Sequence, residues 1–334
     1  MQEMANINIE RDRRVTEIVH HFFLALLIFR QQRDKYRQGG LQFSDLNKLV
    51  DDRGESILFL LKESCHNLFR RRSSFVSEKE QLFDLTIGSI FHLAMKMRED
   101  LYQLEIYGPK YLALMKKVSG SPEQDHLLDQ FREIISRAET SFKEGMEEID
   151  ILAADIFRQF KNLLVEYRDN GLLIRFFLEE EGLLIKVLGD HALKDLFHIM
   201  YGSDEVQPLR IAGESYFESA YYAQSVKAFS RALEKSPGDP ELQFKINLSQ
   251  GMDQFYTFAP HQALKSFDRC LALSEKVDFL KPYRIMIHRV CQKIQEELPG
   301  RRKNDQHRDL IKKAKSLQQQ LATLPPLPSA DISP

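Results

Sequence analysis

The sequence predicts an all-α protein, and three observations lead to this prediction. The composition is that of an ordinary globular protein, with 43% apolar and 29% charged residues among 334. Prolines are sparse over most of the chain: none precedes Pro109, and none lies between Pro122 and Pro208. Leu, Glu, Lys, Gln and Arg are abundant in these stretches, which favour helix because nothing interrupts the i→i−4 hydrogen bonds. No run of alternating β-branched residues indicates a strand.

Charge, cysteine content and hydropathy narrow the class of protein. The net charge of −2 gives no reason to expect a protein that coats nucleic acid. Cys65, Cys270 and Cys291 are odd in number and widely spaced, which argues against a disulfide framework and for a reducing, cytoplasmic location. The polar N-terminus does not resemble a signal peptide. The run "FFLALLIF", residues 22–29, is far shorter than the roughly 20 residues of a membrane-spanning helix. We expect a buried core helix there, with a partner interface or membrane contact as alternatives, and no transmembrane segment.

The first part of the chain predicts three helices. The first covers about residues 8–38 and stops at the glycine pair 39–40. Ser44 is a candidate N-cap for a second helix, which continues to about residue 69. An S-x-x-E capping box at residues 77–80 begins a third, which continues to the glycine–proline pair 108–109.

The longest periodic stretch predicts one helix over about residues 122–170. Ser121 offers an N-cap, Pro122 fits the first helical position, and Gly171 fits a C-terminal stop. Apolar residues recur at a spacing of three to four, and Gly145 interrupts the stripe, so a kink there is an alternative to a continuous helix. The stripe seals either an intrachain bundle or a coiled-coil dimer. Its width favours the bundle, and self-association through this helix stays open.

Two shorter helices, over residues 172–188 and 190–202, complete a predicted N-terminal bundle that covers residues 1–203. A second domain is predicted over residues 204–321. The remaining segment, residues 322–334, contains "LPPLPSADISP" and is rich in proline. Proline favours extended polyproline II conformation, so we expect a disordered or extended end.

The second domain contains the same amphipathic helix twice. "SVKAFSRALEKS", residues 225–236, is followed 38 residues later by "ALKSFDRCLALS", residues 263–274. The narrow apolar face of each copy needs a preceding helix to pack on, and the preceding segments supply one. Gly213 and Gly251, again 38 apart, would let the two helices of each pair approach closely. Five positions recur between the two copies: Lys227, Phe229, Arg231, Leu233 and Ser236 return as Lys265, Phe267, Arg269, Leu271 and Ser274.

This region, about residues 206–276, resembles the tetratricopeptide repeat family, whose unit is a helix–turn–helix of 34 residues. Four departures are visible: Ser225 stands where the family usually has alanine, Gln254 replaces the aromatic residue of the second unit, Glu275 replaces its terminal proline, and the offset exceeds the family period by four residues. The positions that carry the resemblance are Gly213, Tyr216, Tyr222, Phe229, Ala232 and Pro237 in the first unit, and Gly251, Ala263, Phe267 and Cys270 in the second.

The resemblance implies a short helical solenoid whose concave face binds an extended peptide or a helix of a partner protein. The alternative is that the aromatic residues of this face are simply buried between helices. Carried over position by position, the partner-binding residues would be Arg210, Glu214, Phe217 and Glu218 in the first unit, and Leu248, Met252, Phe255 and Tyr256 in the second.

A basic helix is predicted over about residues 305–321. Its charge suits an acidic protein, RNA or a membrane surface. No aromatic residues interleave for base stacking, so nucleic acid is the weaker choice, and a solvated capping helix is the alternative. The basic patch consists of Arg301, Arg302, Lys303, Arg308, Lys312, Lys313 and Lys315.

Motifs of catalysis and cofactor binding are missing from the sequence. No phosphate-binding loop, dinucleotide fingerprint, nucleophile elbow or zinc-protease motif occurs. Two E-x-x-H pairs, Glu63/His66 and Glu123/His126, have the spacing found in di-iron bundles, but so short a match is common by chance. We therefore expect no catalytic residues, no metal and no cofactor.

Together these observations predict a non-catalytic adaptor or scaffold, a structural subunit of a larger protein assembly. Two alternatives remain. One is a regulatory sensor that is switched by a bound peptide or partner, and the other is a bundle metalloenzyme.

Overall fold

The computed structural model describes residues 2–51, 54–70, 77–117, 121–274, 281–297 and 305–323. Every regular element within these ranges is a helix, which confirms the all-α prediction. The chain splits into two compact units, Met1–Met200 and Tyr201–Pro334. Among the described residues, no helix combines the length and the apolar character that a membrane span requires.

The first unit is a bundle built on three long helices. Its core holds an aromatic cluster in which the Phe22 ring lies 4.6 Å from that of Phe160, between centroids, and 5.7 Å from that of Phe83. The start of the "FFLALLIF" run therefore lies in the core of the bundle. The helices are α1 (Gln2–Arg37), α2 (Phe43–Leu46), α3 (Ile57–Cys65), a π-helix (His66–Arg70), α4 (Glu78–Met115), α5 (Pro122–Glu166), α6 (Gly171–Glu179), α7 (Glu181–Leu188) and α8 (Ala192–Tyr201).

The capping box that the sequence predicts at the start of α4 is present. The Ser77 side chain accepts a hydrogen bond from the Glu80 backbone N–H, and the Glu80 carboxylate accepts one from the Ser77 N–H. Glu80 is buried, and its carboxylate also accepts hydrogen bonds from the hydroxyl of Tyr167 and, at 3.2 Å, from the guanidinium of Arg11. A local cap thus also joins α4 to α1 and to the end of α5.

The prediction of one continuous second helix beginning at Ser44 is wrong. Ser44 lies inside the short α2, whose N-cap is Gln42, and α3 begins only at Ile57. Between them the Asp51 side chain accepts hydrogen bonds from the backbone N–H groups of Gly54 and Glu55. Gly54 has φ +77°, a left-handed conformation that glycine adopts without a steric penalty. This side-chain-stabilised turn competes with the helix and interrupts it.

The predicted stop of the third helix at Gly108-Pro109 is also wrong, because α4 runs through Pro109 to Met115. A proline disfavours helix at the preceding residue through clashes with that residue's backbone N–H and Cβ, and Gly108 lacks the Cβ. The packing of α4 against α5 favours continuation of the helix.

Helix α5 is continuous through Gly145, and this glycine has a packing role. A Cβ at this position would lie 2.7 Å from Cγ of Met97, so glycine lets α5 approach α4 closely. Ser121 caps α5 as predicted, with Pro122 in its first turn. Gly171 does not end α5 but begins α6, whose N-cap Asn170 accepts a hydrogen bond from the Leu173 N–H.

The apolar stripe of α5 is buried within its own unit over much of its length. Phe142, Ile149, Ile156 and Phe160 are all buried, and α5 packs along α4. This arrangement is the intrachain bundle that the width of the stripe favours. Self-association through α5 stays a prediction.

The second unit is a succession of packed helices. Helix α10 contacts α9 and α11, α11 contacts α12, and α14 contacts α12 and α13. The two copies of the repeated sequence form α10 and α12. The elements are α9 (Gln207–Glu218), α10 (Tyr222–Lys235), α11 (Pro240–Tyr256), α12 (Pro260–Ser274), a 3-10 turn (Lys281–Tyr283), α13 (Arg284–Glu297) and α14 (Asp305–Thr323).

The helix packing repeats with the same 38-residue offset as the sequence. A Cβ added at Gly213 would lie 2.5 Å from Cε1 of Phe229, and one added at Gly251 would lie 2.8 Å from Cδ1 of Phe267. In each helix pair a buried phenylalanine ring therefore packs directly against a glycine. Ser225 donates a hydrogen bond of 2.9 Å to the Gly213 carbonyl, which satisfies its hydroxyl where the family usually has alanine.

Candidate functional site

The turns that end α9 and α11 have the same backbone structure. After α9, the Tyr221 N–H donates a 2.9 Å hydrogen bond to the Tyr216 carbonyl, and after α11 the Ala259 N–H donates one of 2.7 Å to the Gln254 carbonyl. This i→i−5 bond defines the Schellman motif, in which the residue after the C-cap adopts a left-handed conformation. Ala220 and Phe258, which lie 38 residues apart, occupy that position with φ of 62° and 61°.

Phe258 is an unusual residue for this position. Glycine is the usual choice, because a side chain in the left-handed region meets a steric penalty, and bulky residues are rare there. The Phe258 side chain is also 89% exposed, so burial in the described structure does little to offset that strain. An apolar ring held in an unfavourable conformation and directed to solvent contributes little to the stability of the fold.

Phe258 belongs to a larger group of aromatic side chains at this end of the hairpins. The rings of Tyr222 and Tyr256 stack with their planes 11° apart and centroids 5.7 Å apart, so α10 and α11 meet there. Tyr256 and Tyr221 are more than half exposed. We call this group the aromatic surface; it comprises Phe217, Tyr221, Tyr222, Phe255, Tyr256 and Phe258.

Ring contacts continue across the aromatic surface. Phe217 meets Tyr222 edge-on at 5.3 Å, and Phe255 meets Tyr256 at the same distance. Phe217 and Phe255 are partly buried against the core and support the exposed rings. Burial raises the pKa of Tyr222, and the neighbouring Tyr256 raises it further, so the Tyr222 hydroxyl stays neutral near pH 7. The surface is therefore largely apolar, with tyrosine hydroxyls that can form hydrogen bonds.

Two of the three charged residues predicted for the concave face, Arg210 and Glu214, form ion pairs within their own chain. Arg210 forms ion pairs with Asp239 and with Glu241, the latter at 2.9 Å. Glu214 lies 2.6 Å from the ammonium of Lys245. Glu218 is exposed, at the end of α9 next to the aromatic surface.

Lys245 is buried and links three elements. Besides Glu214, its ammonium contacts the hydroxyl of Tyr283 and lies 4.4 Å from the centroid of the Tyr283 ring. Burial disfavours the charged form, but the hydrogen bonds and charges of Glu214 and Tyr283 outweigh burial, and the pKa of Lys245 is raised. The Tyr283 ring also meets that of Phe217 edge-on at 5.8 Å. Tyr283 thus covers part of the face that the resemblance assigns to a partner.

The assignment of Leu248 and Met252 to a partner-binding surface is wrong. Both side chains are buried, at 0% and 3% exposure. They belong to the apolar core of the second unit, a cluster that also contains residues of α12, α13 and α14. A leucine and a methionine at helical spacing gain more from such burial than from exposure on a surface.

The basic patch falls partly outside the described residues, since Arg301, Arg302 and Lys303 precede α14. Within α14 its exposed members are Arg308, Lys312, Lys313 and Lys315. On the opposite face, Leu310, Ala314, Leu317 and Leu321 are buried in the core. Burial raises the pKa of Asp268 on α12, and the nearby Lys313 partly opposes that rise. Helix α14 thus packs with its apolar face on the unit and exposes its basic face.

The remaining reactive groups are possible metal ligands and the three cysteine thiols. Over the residues that the structure describes, no group of three or more His, Cys, Asp or Glu side chains is arranged to hold a metal. All three cysteines are free and buried. Burial raises the pKa of each thiol, to about 12 for Cys291, so they are protonated near neutral pH.

Comparison of the chain with models of known protein families, with curated proteins and with solved structures found no match. Its function must therefore be inferred from its own surface. The sequence-based prediction of partner-binding residues included Phe217, Phe255 and Tyr256 but missed Tyr221, Tyr222 and Phe258. The 38-residue offset carried a usable signal, because it aligns Phe258 with Ala220 in the turn, where a bulky residue is out of place.

Proposed function

We propose that this chain is a non-catalytic adaptor or scaffold whose second unit binds a polypeptide segment of another protein through the aromatic surface. The helix pairs α9–α10 and α11–α12 would act as a tetratricopeptide-like support. The binding surface would lie at their turn end and not along the inner face implied by the resemblance, which Tyr283 and intrachain ion pairs partly occupy.

Phe258 is the observation that carries the proposal. Its left-handed conformation costs on the order of 1–2 kcal/mol for a residue other than glycine. Its 89% exposed ring recovers little of that cost in the free protein. Burying a phenylalanine side chain contributes about 1.5–3 kcal/mol, so a partner that covers Phe258 would offset the strain.

The neighbouring tyrosines support the same function. Tyrosine is among the residues that dominate binding energy at protein interfaces, because it offers a large apolar area and a hydroxyl with few rotatable bonds. Tyr222 and Tyr256 are already held by their mutual stacking. Little side-chain entropy would therefore be lost when a partner binds them.

Substitution of Phe258 offers a test that separates binding from folding. Phe258→Gly removes the ring while it supplies the residue that the Schellman turn prefers, so the fold should be retained. Ala220→Gly is the matched control, since it makes the same change in the equivalent turn without loss of an aromatic ring. In affinity purification from native extract, we expect a specific polypeptide to be retained by the wild-type chain and by Ala220→Gly.

Phe258→Gly should lose that polypeptide, while circular dichroism shows an intact helical fold. Recovery of the same polypeptides with all three chains would contradict the proposal. So would the absence of any specific polypeptide with the wild-type chain.

A further inference from the structure

The two segments that carry the aromatic surface have no lysine or arginine. Residues 211–226 and 246–264 contain all of its rings, and apart from His261 none of their side chains can carry a positive charge. Three of their side chains are carboxylates. The nearest lysines of the two hairpins, Lys227 and Lys265, lie five residues into α10 and α12, about 7.5 Å along each helix from its start. The charge at the turn end of the hairpins is therefore negative.

Two of the three carboxylates are available to a ligand. Glu214 is already paired, since it lies 2.6 Å from the ammonium of Lys245. Glu218 is exposed and is the last residue of α9. Asp253 is half-buried in the last turn of α11, three residues before Tyr256 and so on the same side of the helix. Neither Glu218 nor Asp253 forms an ion pair with a residue that the structure describes.

The positions of these two carboxylates are unfavourable for the helices that carry them. The C-terminus of a helix has partial negative charge, so lysine or arginine is the stabilising residue in its last turn. Helices α9 and α11 have no basic residue there and have Glu218 and Asp253 instead. Helices α10 and α12 begin at the same end, so the dipoles of each pair partly cancel and the carboxylates decide the sign of the charge. Like the left-handed Phe258, they are not explained by the stability of the free chain.

The exposed rings suit a positively charged ligand as well. A lysine ammonium or an arginine guanidinium is attracted to the face of an aromatic ring. Tyr256 and Phe258 are both more than half exposed, so they offer their rings to such a group. The second unit already contains one contact of this kind: the ammonium of Lys245 lies 4.4 Å from the centroid of the Tyr283 ring and 2.6 Å from a carboxylate oxygen.

We infer that the segment bound by the aromatic surface is basic, with arginine or lysine side chains that lie over the exposed rings and pair with Glu218 and Asp253. This inference rests on the proposed function and adds the chemistry of the partner. Arginine is the better fit, because its planar guanidinium stacks on a ring while its N–H groups donate to a carboxylate. An acidic segment would be repelled by both carboxylates, which gives the surface its selectivity.

Selection of peptides on the full-length chain tests this inference without knowledge of the partner. A random peptide library displayed on phage would first be depleted on the Phe258→Gly chain and then selected on the wild-type chain. The retained peptides are those that require the Phe258 ring. We expect arginine and lysine to be enriched at least about twofold over the starting library, and aspartate and glutamate to be depleted.

A synthetic peptide from that selection then tests the two carboxylates, with its affinity measured by fluorescence anisotropy. Glu218→Lys combined with Asp253→Lys should weaken binding about tenfold or more, while circular dichroism shows an intact helical fold. The isosteric pair Glu218→Gln and Asp253→Asn, which preserves packing, should weaken it about threefold. Glu234→Lys is the matched control, because it makes the same charge change at an exposed position of α10, about 18 Å along the helix from Tyr222. Its affinity should stay close to that of the wild-type chain.

The outcomes separate this inference from the proposed function. Selected peptides that require Phe258 but are neutral or acidic would preserve the proposed function and overturn only the basic partner. Equal affinities of a basic peptide for the wild-type chain and for both double variants would do the same. Basic peptides whose affinity depends on the two carboxylates would support both proposals. Failure to select any peptide that requires Phe258 would overturn both.

Discussion

The close packing of a phenylalanine ring against a glycine in each helix pair can be tested with the substitution Gly213→Ala. The added Cβ would lie 2.5 Å from Cε1 and 2.7 Å from Cδ1 of Phe229, far inside normal van der Waals contact. Phe229 is buried and has little room to move away. Overpacking of this kind costs about 1–3 kcal/mol, while the better helix propensity of alanine returns up to about 1 kcal/mol. We expect a net destabilisation of about 1–2 kcal/mol.

Native-state hydrogen exchange read by mass spectrometry is the appropriate assay. The chain has two compact units, so a single global unfolding transition would mix their stabilities. Backbone protection in peptides from α9 and α10 should fall about fivefold to thirtyfold, the equivalent of that free-energy loss. Phe229→Leu combined with Gly213→Ala should recover part of the protection, because the smaller side chain relieves the clash.

Gly88→Ala in α4 is the matched control. A Cβ at Gly88 meets no atom within 4 Å, so alanine should stabilise this helix by up to about 1 kcal/mol. Gly251→Ala, whose Cβ would lie 2.8 Å from Cδ1 of Phe267, should behave like Gly213→Ala. Unchanged or increased protection in Gly213→Ala would refute the role assigned to these glycines.

Three further predictions concern the second unit and the thiols. Phe258→Gly and Ala220→Gly should each stabilise the unit by about 0.5–1 kcal/mol, because glycine accepts the left-handed conformation; a lower melting temperature would count against the strain assigned to Phe258. Lys245→Met should destabilise the unit by about 1–2 kcal/mol at pH 7, measured by hydrogen exchange. The pKa of Lys245 is raised in the folded state, so the stabilisation that its charge provides is fully present below about pH 10.5. This stabilisation is lost as the pH rises through the pKa of the folded state. The difference in stability between the wild-type chain and Lys245→Met should therefore shrink in alkali. Iodoacetamide at pH 8 should modify Cys65, Cys270 and Cys291 only after denaturation, because burial keeps the thiols protonated and inaccessible. Rapid modification of the native chain would contradict this prediction.

Short-range sequence signals, such as capping motifs, predicted much of the fold. The capping box at Ser77, the N-cap at Ser121 and the all-α class all follow from spacing and composition, and the structure confirms each. Errors arose where a local rule met a competing contact. Asp51 stabilises a turn where a continuous helix capped at Ser44 was predicted, and α4 continues through Pro109 along α5.

The candidate site was predicted less well, for a physical reason. The resemblance assigns Phe255 and Tyr256 to the inner face together with Leu248 and Met252, and helical periodicity does not distinguish a buried face from an exposed one. Burial is decided by how whole helices pack, and the side chains of Leu248 and Met252 are both buried in the core of the second unit. Phe258 was missed because it lies in a turn, outside the helical pattern.

Direct contact at position 258 is the most immediate test of the central claim, that the aromatic surface binds another polypeptide. A photo-cross-linking residue placed there in living cells should give a discrete adduct with one other protein. The same probe at position 231, an exposed site on α10, should give none. No adduct from position 258, or the same adducts from both positions, would contradict the claim.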